Sequence, residues 1–373
     1  MRVAQMTWYR SSNYGSVLQA YALQRALESL GAQAELINYD PAPYQRRNKS
    51  KVRKSKPWRI ARETQQCLIG EAPFKSAAKN AAFAVFLAKH MRETSPVAAE
   101  SDFRSLNEIF DAFVCGSDQI WSPRCFDPRY FLDFVAPGRR RIAYAPSFGC
   151  DKLPDEVAAA MAPLVTAFDC LSAREEAGGR MVKRMSGRPC PVVVDPVVLL
   201  DSTDWGSVAD FGAAPSAPYC LCYFLGRSRE NWAHARATAK ACCLDLVTVP
   251  VFNGDARREG TVPEGVGPEQ FLGLVSRAAH VCTDSFHGLV FSTLFERDVT
   301  VYERFKAGTT ASQNVRIESY LRAMGLEDCI VRRNATTAQP GPRTQPIAYE
   351  AVRRHINERR AASLDYLKLA LGA

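Results

Sequence analysis

The sequence predicts an α/β protein of two halves, each a parallel sheet wound with helices. Three observations carry that prediction. Short apolar runs recur and stop at small polar residues, after which a helical period begins, as when a buried parallel strand hands over to a helix. The pattern opens at the N-terminus and opens again near residue 219. Between the two, residues 201–218 carry Pro, Ser, Gly and Ala without clear period, as a linker does.

The elements follow in order. Val3–Met6 reads as a strand, Thr7–Gly15 as a polar and aromatic loop, and Ser16–Leu30 as a helix with Val17, Leu18, Tyr21 and Leu27 on its apolar positions. Gly31 sits where a C-cap glycine belongs, and Ala34–Tyr39 is the next strand. That β-loop-α-β order opens a doubly wound sheet. Residues 59–93 read as helical, and Ala112–Val114, Arg141–Ala145, Asp169–Ser172 and Pro191–Val194 as strands. The second half repeats the plan with strand Tyr219–Phe224, helix Glu230–Cys242, strand Asp245–Val249 and helix Pro268–Arg277. A strand through Val281-Cys282, a helix at Leu289–Glu296 and a strand at Val299–Glu303 continue it. Residues 335–346 read as loop, and Tyr349–Leu371 as a long amphipathic helix. The expected division is an N-terminal α/β domain at 1–205 with a basic and helical insertion at about 41–100, a C-terminal α/β domain at 206–348, and a last helix at 349–373. Two Rossmann-like halves facing a central cleft make a GT-B-like architecture, with the last helix crossing back to the first half.

Bulk properties narrow the class. The 373 residues suffice for two cores, and 47% apolar with 23% charged residues is ordinary for a globular protein. No run reaches the roughly 18–20 apolar residues of a membrane span, and the N-terminus does not read as a signal peptide, so a cytoplasmic protein is expected. The twelve cysteines include no C-x-x-C pair and no zinc-finger spacing. They read as small buried hydrophobes in a reducing compartment, with neither structural metal nor disulfide framework. The net charge is +9, and nine basic residues from Arg46 to Arg62 have no acidic residue among them. A solvated loop is the plainer account. The sharper one is a surface for anionic lipid headgroups or a phosphorylated acceptor, since no nucleic-acid-binding motif is present.

The chemistry centres on Thr283-Asp284-Ser285-Phe286-His287-Gly288. In open α/β sheets the groups at a strand–helix handover face the ligand crevice. His287 stands there, near a helix N-terminus that favours anions. Asp284 or Ser285 could cap that helix, and a packed imidazole is the competing account of His287. Two other strand ends share the character: Ser11 to Gly15, where Asn13 and the loop amides face the crevice, and Cys115 to Gln119 with Ser117 and Asp118. The first lacks G-x-G-x-x-G spacing, so no dinucleotide cofactor is expected.

Read together, these stretches resemble the polysaccharide pyruvyl transferase family. The similarity runs in order through Asn13–Gln24, Gly116–Pro123, Ala143–Gly149, Ser172–Glu176, Asp195–Leu200 with Trp205, and Thr283–Gly288. It implies transfer of a pyruvate unit, as ketal or enolpyruvyl, from phosphoenolpyruvate onto hydroxyls of a sugar in a cell-surface glycan or its precursor. It further implies that Arg174 and His287 occupy donor-site positions and that a second-half arginine joins them, either Arg304 or Arg316. An ion pair with Glu175, Glu176 or Asp169 is the alternative for Arg174, although successive side chains on a strand point to opposite faces.

Phosphoenolpyruvate is a small trianion, which the planar fork of arginine suits. A histidine can move the proton, and Asp118 and Asp284 are the carboxylates to orient it or to accept a hydroxyl proton. Arginines can carry the charge, so no metal and no cofactor beyond the donor substrate is expected. Partners would be phosphoenolpyruvate, a sugar acceptor and, through residues 46–62, a peripheral membrane or lipid-linked contact. A nucleotide-sugar glycosyltransferase of similar fold and a non-catalytic binding protein are the competing functions.

Overall fold

The computed structural model describes residues 1–41, 73–305, 314–332 and 346–372. The basic stretch from Arg46 to Arg62, the first part of the expected helix at 59–93 and most of the expected loop at 335–346 lie outside them. The chain forms two compact units. One holds the described residues of Met1–Lys51, Leu87–Leu200 and Arg354–Ala373, the other those of Val52–Phe86 and Asp201–Arg353.

In the first unit, β1 (Arg2–Met6) runs into α1 (Tyr14–Ser29) and returns as β2 (Gln33–Leu36). Asn13 starts α1 by accepting from the Ser16 amide at 3.3 Å, and Gly31, at φ +83°, takes the left-handed turn after it. Helix α2 (Ala77–His90), of which only the residues from Leu87 on belong to this unit, and α3 (Glu100–Ile109) precede β3 (Ala112–Cys115). Strand β4 (Arg140–Ala143) is followed by α4 (Asp155–Thr166) and α5 (Glu176–Ser186). The sheet order is β2-β1-β3-β4, all parallel, with Val3 opposite both Ala34 and Ala112. Helices cover both faces, so β3 is a run of four buried residues, as a parallel strand should be.

Asp169–Ser172 and Pro191–Val194 do not form strands as expected; each keeps a single bridge, Ile142 to Cys170 and Ala173 to Val192. A few backbone bonds remain, such as the Ala143 amide to the Cys170 carbonyl at 2.9 Å, and side chains add to them. The Asp169 carboxylate accepts from the Arg141 amide at 2.7 Å. The Ser172 hydroxyl donates to the Ala143 carbonyl at 2.7 Å and accepts from the Ala145 amide at 3.0 Å.

The second unit resumes at Asp201 with α6 (Ser202–Val208), where the sequence reads as linker. A reciprocal cap explains it: Asp201 accepts from the Thr203 and Asp204 amides while Asp204 accepts from the Asp201 amide. Trp205, fully buried edge-on to Phe291 with centroids 5.0 Å apart, anchors the helix. Then come β5 (Tyr219–Tyr223), α7 (Arg229–Ala241), β6 (Asp245–Thr248), α8 (Pro268–Arg277), β7 (His280–Thr283), α9 (Phe286–Leu294), β8 (Asp298–Tyr302), α10 (Asn314–Met324) and β9 (Ile330–Val331). Their order, β6-β5-β7-β8-β9, is again all parallel. Cys220, Cys222 and Cys282 pack with Phe224, Trp232 and Tyr302 in its core.

The last helix, α11 (Tyr349–Leu371), has the expected bounds, and its residues from Arg354 on belong to the first unit. There Leu367, Ala370 and Leu371 join Val3, Val114 and Ile142 in one buried cluster. Both sheets reverse their winding next to the first strand, between β1 and β3 and between β5 and β7. At such a switch point the carboxyl ends of two neighbouring strands open a crevice for a ligand. The α/β class, the two parallel sheets and the return of the last helix agree with the sequence. No described helix is long and apolar enough to cross a membrane.

Candidate functional site

Each switch point gathers a cluster of charged and polar side chains. In the second unit the cluster is built on the end of β7. Thr283 donates to the Tyr223 carbonyl at 2.6 Å and accepts from the Ser285 amide at 3.0 Å, which turns the chain out of the strand. Ser285 then caps α9, accepting from the Gly288 amide at 3.2 Å. That cap starts α9 at Phe286, three residues before the expected Leu289.

Asp284 does not cap. Its two oxygens accept from the Leu225 and Gly226 amides at 2.6 and 2.8 Å, tying the loop after β5 to the loop after β7. The tie requires glycine at 226: a Cβ there would lie 2.4 Å from the Asp284 carboxylate and 2.9 Å from the Arg304 stem. Burial lowers the affinity of Arg304 for its proton, and the Asp284 charge works against that loss. Burial likewise pushes Asp284 up to about 6, against the pull of Arg304 and the two amides.

His287, 7% exposed, is the second residue of α9. Its ring stands edge-on to Phe286 with centroids 5.2 Å apart, and the Arg316 guanidinium lies 5.9 Å from the centre of the Phe286 ring. Five of the expected residues, Asp284, Ser285, His287, Arg304 and Arg316, therefore surround one strand end. Both candidate arginines are in the group.

In the first unit the cluster forms on the end of β3. Gly116 has φ +127°, and a Cβ on it would meet the Tyr144 carbonyl oxygen at 1.8 Å, so only glycine lets this loop pass. Beyond it Ser117 donates to the Ala145 carbonyl at 2.6 Å, and Asp118 accepts from the Ser16 hydroxyl at 2.6 Å. Arg174, with a side chain 2% exposed, reaches three carboxylates: Asp195 at 2.6 Å, Glu175 at 3.7 Å and Asp118 at 3.9 Å. Burial opposes its charge, but the three carboxylates together hold it above the ordinary arginine range. Glu175 also accepts from the Ser147 hydroxyl at 2.8 Å. Asn13, expected to face a ligand, spends its side-chain oxygen on the start of α1.

Asp195, Glu175, Ser147, Ser16 and Gly226 belong to these clusters and were not among the expected site residues. Asp195 stood out as a break, Asp195-Pro196, after the preceding apolar run and as the start of a stretch similar to the family, with no role attached. Its pairing with a residue 21 positions earlier has no local signal.

The Asp284 shift makes a stability prediction. Its folded pKa lies above the unfolded value of about 3.9, so protonation favours the folded state. Its contribution is therefore fully present below about pH 4, falls as pH rises through about 6, and is constant above that. Two units correspond to about 3 kcal/mol. Urea unfolding of the parent and of Asp284→Asn from pH 4 to 7 should show their stability difference changing by about that amount, the parent losing more. A difference independent of pH would mean that Asp284 titrates as an exposed carboxylate does.

No curated protein sequence matches the chain significantly. Among solved structures, a UDP-GlcNAc 2-epimerase from Methanocaldococcus jannaschii aligns at 10% identity and TM-score 0.48, over 96% of this chain and 92% of that one. A UDP-GlcNAc 2-epimerase from Neisseria meningitidis aligns at 9% and 0.46 over 88% and 94%, and an E. coli heptosyltransferase at 12% and 0.40 over 96% and 99%. Likeness at this level says nothing of a ligand or a reaction. The family model for polysaccharide pyruvyl transferase, by contrast, matches residues 13–303, which takes in β3, β7, the first cluster and Asp284, Ser285 and His287 of the second, while Arg304 and Arg316 lie beyond it. The chain belongs to the polysaccharide pyruvyl transferase family.

Proposed function

We propose that the protein transfers a pyruvate unit, as ketal or enolpyruvyl, from phosphoenolpyruvate to hydroxyls of a sugar in a cell-surface glycan or its precursor. Beyond family membership, the observation that supports this reading is the gathering of two arginines and a histidine around the N-terminus of α9. A small trianion needs fixed positive charge, and arginines at a helix N-terminus supply it with oriented donors. In this reading Arg304 and Arg316 hold the phosphate and carboxylate, and His287 moves the proton.

The reaction has three steps. The vinyl methylene carbon takes a proton, and a sugar hydroxyl oxygen bonds to the adjacent carbon as it gives up its own. The bond from that carbon to the phosphate oxygen then breaks and inorganic phosphate leaves. A second hydroxyl of the sugar then bonds to the same carbon, gives up its proton and closes the ketal; if the new methyl group loses a proton as phosphate leaves instead, the product is the enolpyruvyl ether. His287 as imidazolium gives the proton to carbon, and as imidazole takes one from the hydroxyl. Arg174, which the resemblance sets at the donor, is proposed instead to position the Ser117–Asp118 loop. Three carboxylates within 4 Å make its surroundings a poor place for an anion. A cytoplasmic location with membrane contact through the basic residues 46–62 is part of the same proposal.

Thermal unfolding with phosphoenolpyruvate and with a panel of nucleotide-sugars tests it, because a ligand that binds only the folded state raises its stability. At a hundred times its dissociation constant, phosphoenolpyruvate should stabilise by about 2.7 kcal/mol, a shift of several degrees. Stabilisation by a nucleotide-sugar with none by phosphoenolpyruvate would sink the proposal in favour of a glycosyltransferase.

A further inference from the structure

The loop after β1 holds a second feature that the donor chemistry does not use. It walls a pocket of about 330 Å³ within the first unit, together with Tyr39, Asp40, Pro41, Cys125 and Tyr130. That volume is within the roughly 300–1,000 Å³ of small-molecule sites. Its floor is aromatic. Trp8 stands edge-on to Tyr130 with centroids 6.1 Å apart, and Tyr39 lies 6.0 Å from the same ring.

Hydrogen bonds hold two tyrosines and the backbone of Trp8 in this wall. Tyr39 donates its hydroxyl to the buried Asp127 carboxylate at 2.8 Å. The Trp8 carbonyl accepts from the Gln19 amide group at 3.1 Å. Tyr9, 2% exposed, donates to the Ile37 carbonyl at 3.4 Å. The rim is polar and exposed: Arg10, Ser11 and Asp40. Arg10 is itself braced by the Tyr9 hydroxyl and Glu93, both at 3.3 Å.

We propose that this pocket is a subsite for a neutral pyranose ring of the glycan acceptor, a reading that rests on the function proposed above. A pyranose has one face of C–H bonds carrying slight positive charge and an equator of hydroxyls. The first complements the negative faces of aromatic rings, and the second needs hydrogen-bond partners that accept and donate, as Asp40 and Arg10 do. Rings already fixed, Tyr39 by its hydrogen bond to Asp127 and Trp8 by packing on Tyr130, lose little entropy when the sugar lands. A purely apolar ligand would leave the charged rim unused. A phosphate would gain nothing from the aromatic floor.

Saturation-transfer NMR decides it, with the full chain and the methyl pyranosides of glucose, galactose, mannose and N-acetylglucosamine, and farnesol as an apolar probe. At about 0.3 kcal/mol per heavy atom, a single ring should bind with a dissociation constant of roughly 1 mM. At least one pyranoside should show transfer to its ring C–H protons. Trp8→Ala should abolish that signal, and Arg10→Ala, an exposed change that leaves the fold alone, should weaken binding about fivefold or more. No pyranoside signal at about 10 mM, tenfold above that constant, or a signal unchanged in the folded variants, overturns the proposal. So does binding of farnesol alone. The two readings fail separately. Pyranoside binding without phosphate release from phosphoenolpyruvate removes the transferase chemistry and keeps the subsite. Phosphate release with an unchanged acceptor KM in Trp8→Ala removes the subsite and keeps the chemistry.

Discussion

His287→Ala should fold normally and lose nearly all turnover, by about a hundredfold to ten-thousandfold, while phosphoenolpyruvate binding falls much less. The expectation rests on place and chemistry. His287 is the second residue of α9, beside the ring that Arg316 covers, and three positions from Asp284 with its Arg304 neighbour. The arginines would still bind the donor in the variant, so kcat should fall and donor affinity should mostly survive. Phosphate release, donor affinity by thermal shift and urea unfolding on the same preparation separate the effects. Turnover within a few-fold of the parent in a folded variant would reduce His287 to packing.

Arg174→Ala should act chiefly on stability. Removing one partner of a buried ion pair costs about 3–5 kcal/mol, because the carboxylates left behind have lost their counter-charge. Here Asp195 at 2.6 Å loses its charged partner, as do Glu175 and Asp118. Arg174→Lys should recover part of that loss, since a point charge can face one carboxylate but cannot fork between several. Donor affinity in the lysine variant should stay close to that of the parent. Urea unfolding and donor titration of both variants read the two quantities independently. A stability loss under about 1 kcal/mol with a tenfold or greater loss of donor affinity would return Arg174 to the donor, as the family resemblance implies.

The sequence made the strand ends legible because parallel strands buried on both faces are apolar runs with abrupt polar stops. Helix Pro268–Arg277 and helix Tyr349–Leu371 were readable to the residue, each with a clear amphipathic period. Helix Ser202–Val208 was not: at seven residues it is shorter than the window over which periodicity shows, and its identity lies in a reciprocal aspartate cap. The candidate site divides in the same way. Its location at the end of β7 follows from a local pattern. What Asp284 does there depends on Leu225 and Gly226, nearly 60 positions away, whose amides it accepts. Sequence periodicity points to helix caps because they are local; ties between the loops of neighbouring strands are set by sheet order. Arg174 divides likewise: its contact with Glu175 at 3.7 Å is the neighbouring ion pair that the sequence offered. Its main partner, Asp195, arrives 21 positions later.

The return of the last helix has a consequence for synthesis. Tyr366 donates to the Ala143 carbonyl across 223 positions, and Arg140 donates to the Ala370 carbonyl across 230. Leu367 and Leu371 fill the same buried cluster as Val3. As the polypeptide leaves the ribosome, the first sheet therefore waits with an apolar face uncovered while residues 201–353, which form most of the second unit, are being added. Contacts so distant along the chain form slowly, and exposed apolar surface in the interval invites association. A nascent chain stopped near residue 350 should hold the second sheet in a protease-resistant state and the first in a labile one, bound by chaperones. The half made first is the half finished last.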